Sequence, residues 1–195
     1  MSALTFELRA RCHRVGLKGP RAADWLATQG IDVPATPNTW THSEDGIAAD
    51  ALLVARLGAA EFFLEDGAAG TRLERILPAL HENPTGVYPV LREDLAFGLG
   101  GERVHDVLAQ VCNVNFAALP LDSRPLIMTL MIGVAVLVVP QSMAGRGPRG
   151  AAAGPEGAAE RHYRIWCDPT FGPYLGESLG AVVIECGGRY RGVSG

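Results

Sequence analysis

The sequence predicts an α+β fold built from two pseudo-repeated ferredoxin-like units, each a split βαβ arrangement, pressed into one compact body. Three observations carry this. Two stretches repeat in the same order, apolar residues recur at helical spacing after each glycine turn, and short apolar runs bounded by turn residues fall between them. Residues 16–27 read GLKGPRAADWLA and residues 98–109 read GLGGERVHDVLA, with seven of twelve positions identical at an offset of 82. Residues 61–77 and 163–179 form a second pair at an offset of 102, matching Asp66 to Asp168, Gly70 to Gly172, Leu73 to Leu175 and Leu77 to Leu179. The 20-residue growth in offset implies an insertion in the second copy. The run AGRGPRGAAAGPEGAA at 144–159 supplies it, as an Ala/Gly-rich loop with too little apolar surface to offset its ordering entropy.

Each element has a local reason. His13–Leu17 and Leu95–Leu99 are short apolar strands ending in glycines. Pro20 suits a first helical turn, where its missing N–H is no loss. In the second copy Val104, Val107, Leu108 and Val111 fall at i, i+3, i+4, i+7 and make one buried face. The equivalent positions in the first copy are Ala22, Trp25, Leu26 and Gln29. Strands follow at Ala51–Leu57 and Glu61–Glu65, and at Leu126–Val139 and Tyr163–Cys167. A second helix carries Leu73, Ile76, Leu77 and Leu80. Gly86–Leu91 and Ala181–Cys186 are the expected closing strands, and Arg189–Val193 reads as a frayed basic tail. The order is strand, helix, strand, strand, helix, strand, twice over. The expected units are 1–92 and 93–195, joined by Val90–Leu95, which has no Gly, Ser or Pro to act as a linker.

Composition narrows the function. A 195-residue chain with 48% hydrophobic and 19% charged residues is globular, not disordered or fibrous. A net charge of −4 argues against a general nucleic-acid or anionic-membrane binder. Leu126–Val139 is uncharged, but a spanning helix needs about 20 residues, and its Val, Ile and central Gly133 fit two buried strands or one bent strand. Met1–Arg14 has no apolar core of a secretory signal. Cys12, Cys112, Cys167 and Cys186 form no CxxC pair, which fits reduced thiols in a cytoplasmic protein.

Catalytic motifs are missing. No HExxH, no histidine pair at i, i+4, no GxSxG and no Walker sequence occurs, so no catalytic, cofactor-binding or metal-ligating residue is assigned. The turns GLKG and GLGG open helices and could bind an anion, but tight turns demanded by the fold explain them more simply. Lys18, the only lysine, is either a contact to such an anion or a solvated turn residue. Asp24 and Asp106 recur on matched helices, where each could pair with the arginine three residues earlier. The densest segment is Arg164–Tyr174. Its Trp166, Asp168, Phe171 and Tyr174 form the candidate partner interface, with core packing plus helix capping by Asp168 as the alternative.

RVGLKGPRAADWL, PNTW at Pro37–Trp40, RLGAAEFFLED at Arg56–Asp66 and IWCDPTFGPYL at Ile165–Leu175 resemble the gamma subunit of heterotetrameric sarcosine oxidase, over nearly the whole chain apart from the Ala/Gly loop. The resemblance implies a fold like the folate-binding domain of glycine-cleavage T-protein, an aminomethyltransferase. It implies a non-catalytic subunit docked on the alpha subunit, in a complex with beta and delta that oxidises sarcosine to glycine. Flavin, NAD and tetrahydrofolate belong to the partner subunits in that family. Gly176 stands where a bulky aromatic is expected in relatives. The Lys-Gly-Cys-Tyr-x-Gly-Gln-Glu motif of stand-alone T-protein relatives is absent, and GPYLGES at Gly172–Ser178 is a superficial echo. The alternative reading is a stand-alone folate-binding or one-carbon-transfer protein, and a role in a related amine or methylglutamate dehydrogenase complex stays open.

Overall fold

A computed structural model describes residues 3–9, 12–43, 51–67, 70–142 and 161–192. The Ala/Gly-rich stretch 144–159 lies outside the described residues. In chain order the elements are β1 (Thr5–Leu8), β2 (Arg14–Lys18), α1 (Ala22–Thr28), β3 (Thr39–Ser43), β4 (Leu52–Gly58), β5 (Glu61–Glu65), α2 (Arg72–His81) and β6 (Tyr88–Val90). They continue with β7 (Leu95–Gly100), α3 (Val104–Val111), β8 (Ile127–Met131), β9 (Val134–Ser142), β10 (Arg161–Cys167), α4 (Gly172–Glu185) and β11 (Arg189–Arg191). No helix among the described residues is long and apolar enough to cross a membrane.

The chain divides into two compact units. One comprises Ala10–Glu93 with Ser123–Leu126, the other Met1–Arg9, Asp94–Asp122 and Ile127–Gly195. The expected 1–92 and 93–195 division therefore misassigns the first nine residues and the Ser123–Leu126 segment. The reason is main-chain pairing. β1 adds to the sheet of the later unit, where Phe6 lies opposite Leu99 and stacks on Phe97 at 5.2 Å. The segment Ser123–Leu126 bonds the earlier unit through Leu126 N to Asn38 O at 2.8 Å.

The earlier unit holds a five-stranded antiparallel sheet in the order β3-β4-β5-β2-β6. Its helix-side core joins Leu17, Leu26, Val54, Phe62, Leu73 and Ile76. The opposite faces of β4 and β5 are buried too, at Leu53, Ala55, Phe63 and Glu65. The later unit holds a six-stranded sheet in the order β11-β1-β7-β10-β9-β8, antiparallel except for the β1–β11 pair. Its core includes Phe6, Phe97, Leu108, Val138, Tyr163 and Leu179. With β1 set aside, the two sheets follow one order, β3-β4-β5-β2-β6 against β8-β9-β10-β7-β11. Each unit thus carries three strands between its helices: in the later unit Leu126–Val139 divides into β8 and β9, the two-strand alternative, and in the earlier unit β3 is added to the two expected. β3 escapes detection because TWTHS mixes polar and apolar residues without alternation.

The glycine turns are filled by the chain itself. Gly19 and Gly101 have φ of +129° and +115°, a region other residues rarely enter. A Cβ on Gly19 would lie 2.2 Å from the Gly86 carbonyl oxygen, and one on Gly101 2.6 Å from the Ala3 oxygen. Lys18 pairs with Glu61 at 3.3 Å. Arg103 binds Asp106 at 2.8 Å, as its i+3 spacing allows, whereas no such bond joins Arg21 to Asp24. In α1 the buried residues are Ala22 and Leu26, and Gln29 falls outside the helix as its exposed C-cap.

The closing strand of the later unit needs correction. Ala181–Cys186 is not a strand. Its first five residues finish α4 and Cys186 caps it, because Leu175, Leu179 and Val183 share one buried helical face. The β-branched run Val182–Val183–Ile184 favours a strand locally, and tertiary packing overrides it. The closing strand is β11, in the supposed tail, pairing in parallel with β1. The 102 offset also dissolves on inspection of the ladders. Gly16 lies opposite Phe63 and Gly98 opposite Arg164, so β5 and β10 correspond at 101. Leu73, Ile76 and Leu80 of α2 are buried, as Leu175, Leu179 and Val183 of α4 are. A one-residue slip moves a strand side chain to the other face of its sheet. Asp66 and Asp168 therefore occupy unlike surroundings despite their alignment.

Candidate functional site

The four residues expected at an interface separate by exposure. Trp166 is 1% exposed, on the face of β10 that also carries buried Arg164, whose guanidinium lies 5.9 Å from the indole centroid. It is a packing residue, not a surface anchor. The strand period explains this, since β10 is buried on both faces and alternation offers no exposed position. Phe171 and Tyr174 are each 52% exposed. Tyr174 touches the Ile132 carbonyl through its hydroxyl at 3.4 Å. Asp168 is exposed and caps the short 3-10 turn Pro169–Phe171. Its Oδ1 accepts from the Thr170 N–H at 2.8 Å, and the Thr170 hydroxyl and amide hold its carboxyl below the usual aspartate range. Capping by Asp168 is local and was readable from Asp-Pro. The core role of Trp166 was not.

Asp66 meets a different fate. It is fully buried, its Oδ2 accepts from the Leu73 N–H at 3.0 Å, and it thereby caps α2 from outside the helix. Burial raises its pKa, with the Leu73 amide opposing the shift. Among the described residues its Oδ1 has no hydrogen-bond partner. Nearby, Arg14 and Glu65 form a buried ion pair across β2 and β5.

A site without any sequence signature opens in the later unit. A groove of about 450 Å³ runs along α3 and the following turn, lined by His105, Asp106, Leu108, Cys112, Asn113 and Asn115, with Phe116 among the apolar walls. Ligand pockets run from about 300 to 1,000 Å³, so the volume suits a small molecule. At its polar end His105 Nε2 lies 2.8 Å from the Tyr163 hydroxyl. Tyr163 is fully buried, and burial raises its phenol pKa. Burial, aided by the nearby Arg161 charge, lowers that of His105. The imidazole is thus neutral and the phenol protonated at neutral pH. The Arg161 charge lies near the same phenol and opposes the rise in its pKa, and the Arg161 guanidinium donates to the Phe116 carbonyl at 3.4 Å.

The one signal that could have found this pair lies in the repeat. His105 stands 82 residues after Ala23, and Tyr163 stands 101 after Phe62. The earlier unit fills both places with apolar side chains, so the fold does not require polar groups there. Chemically the groove offers donors and an apolar wall without a nucleophile and base in contact. Among the described residues no group of three or more His, Cys, Asp or Glu could hold a metal ion. All four cysteines are reduced, and Cys167, buried beside Asp94 and Asp168, has its thiol pushed up to about 11.

No family model matches the chain, and no curated protein matches it by sequence. Solved structures do. A glycine cleavage system aminomethyltransferase T from Bartonella henselae is similar with a TM-score of 0.64 and 13% identity, over 97% of this chain and 48% of that one. The chain thus spans about half the length of that enzyme. A chain of the heterotetrameric sarcosine oxidase of Corynebacterium sp. U-96, solved in complex with pyrrole 2-carboxylate, is similar with a TM-score of 0.67 and 20% identity, over 94% of this chain and 85% of that one. The chain has a T-protein-like α+β fold, which it shares with both.

Proposed function

We propose that this chain is the gamma subunit of a heterotetrameric sarcosine-oxidase-like complex, a non-catalytic scaffold that docks on the alpha subunit. The observation that carries the reading is the reciprocal coverage. The match takes in 94% of this chain and 85% of the sarcosine oxidase chain, so the two are alike in extent as well as fold, whereas the aminomethyltransferase is twice as long. The common strand order of the two units supports an origin by duplication of a split βαβ unit with an added edge strand. On this reading flavin, NAD and tetrahydrofolate are carried by the partner subunits, the beta and delta chains complete the assembly, and the complex works in the cytoplasm. Exposed Phe171 and Tyr174 then face the alpha subunit, as aromatic anchors do at interfaces.

Co-expression with a sarcosine oxidase alpha subunit and size-exclusion chromatography tests this. Co-elution is expected, and independent elution of the two chains would overturn it. The second reading, a stand-alone folate-binding protein, draws on the fold shared with the aminomethyltransferase. Calorimetric binding of tetrahydrofolate to the isolated chain with a Kd of about 1 μM would favour it.

A further inference from the structure

We infer that the groove along α3 binds a small organic carboxylate, gripped by the His105 imidazole and the side-chain amides of Asn113 and Asn115. This goes beyond subunit docking and does not depend on it. The donor inventory comes first. The buried Tyr163 hydroxyl has His105 Nε2 as its hydrogen-bond partner, and donating its proton there leaves the ring proton of the neutral imidazole on Nδ1. That N–H makes no hydrogen bond among the described residues. Asn113 and Asn115 are exposed and line the same groove, and neither side chain has a hydrogen-bond partner among the described residues. Asn115 even sits at the N-cap of the Phe116–Ala118 turn without capping it.

Charge comes second. Asp106, the one carboxylate in the lining, is already bound to Arg103 at 2.8 Å. Arg161 donates to the Phe116 carbonyl, lies near the Tyr163 phenol and, among the described residues, contacts no carboxylate. The site thus holds surplus donors beside a guanidinium that has no carboxylate partner among the described residues, the arrangement that favours an anionic acceptor. Leu108, Ala109, Val114 and Phe116 supply an apolar wall that a bare inorganic anion would leave unused. Ala23 and Phe62 occupy the equivalent places in the earlier unit, so a buried phenol and a neutral imidazole are additions that packing alone does not demand.

The test is a titration of the full chain with N-acetylglycine, following the His105 ring signals by NMR. Saturable shifts are expected with a Kd of about 1 mM or tighter. The neutral probe N-acetylglycinamide and inorganic phosphate should each bind at least about tenfold more weakly. The surface double variant Asn113→Ala/Asn115→Ala keeps its fold and should weaken binding about tenfold, and Tyr163→Phe should weaken it by freeing the ring tautomer. Failure to saturate, equal binding of the neutral amide, stronger binding of phosphate, or unchanged binding by the double variant would each overturn the assignment. Co-elution with an alpha subunit is read separately, so the two proposals fail independently.

Discussion

Gly180→Ala should destabilise this protein, against the usual direction of a glycine replacement in a helix. Gly180 lies in the middle of α4, where alanine would ordinarily gain about 1 kcal/mol. A Cβ there, however, would fall 2.7, 2.9 and 3.1 Å from three ring carbons of Tyr190. The ring cannot easily retreat. It stacks on Phe6 at 5.1 Å, and Tyr190 is held by the β1–β11 ladder opposite that same Phe6. Overpacking of this kind costs about 1–3 kcal/mol, which outweighs the helix gain over most of that range and leaves a net loss of up to about 2 kcal/mol. Urea denaturation of Gly180→Ala, Tyr190→Ala and the double variant makes the cycle. In the Tyr190→Ala background the same glycine replacement should stabilise by about 1 kcal/mol, because the obstructing ring is gone. If Gly180→Ala stabilises the parent protein as much as the Tyr190→Ala variant, the two sites are additive and the packing explanation is wrong. Gly176 belongs to the same contact. Its Cβ would lie 2.9 Å from the Tyr190 hydroxyl and 3.3 Å from Phe97, so the space a larger residue would need is already filled.

Three further outcomes separate packing from surface roles. Trp166→Ala should cost about 3–5 kcal/mol in denaturation experiments, as for a buried aromatic, while Phe171→Ala and Tyr174→Ala leave stability within about 1 kcal/mol and instead weaken capture of an alpha subunit in pull-down titrations. Because burial raises the Asp66 pKa, the unfolded chain releases this proton first. Stability should therefore fall as pH climbs from the ordinary aspartate value of about 3.9 to the folded pKa, and Asp66→Asn should remove that slope from the pH–stability profile. Cys167, with its thiol pushed up to about 11, should resist thiol reagents at pH 8 in the native state and react on unfolding, as mass spectrometry of the labelled peptide would register. Rapid native labelling of Cys167 would contradict its burial.

Much of the architecture follows from short-range rules that operate within a few residues. The stripe Val104, Val107, Leu108, Val111 is buried as its spacing requires, and Leu73, Ile76 and Leu80 likewise. Gly19 and Gly101 are glycine because their φ values and the approaching main chain exclude a side chain. Asp168 caps a turn two residues away. Repetition added a longer reach, since matched glycine turns locate matched strands and helices. It failed where the copies differ by a single residue, since the strands correspond at 101 and not at the aligned 102.

Periodicity, turn chemistry and the internal echo were enough to determine the strands and helices that follow each glycine turn and the absence of familiar catalytic signatures, but not β3, β11 or the helical state of 181–185. Tertiary structure alone decided that Thr5–Leu8 joins the later sheet, that Arg189–Arg191 closes it, that Trp166 is interior while Phe171 is exposed, and that His105 meets Tyr163 from 58 residues away. The physical reason is common to all four. Helical stripes and turns are set by neighbours along the chain, whereas the partner of a sheet edge, the far side of a strand and the meeting of two polar groups depend on which distant segments compete to cover the same apolar surface.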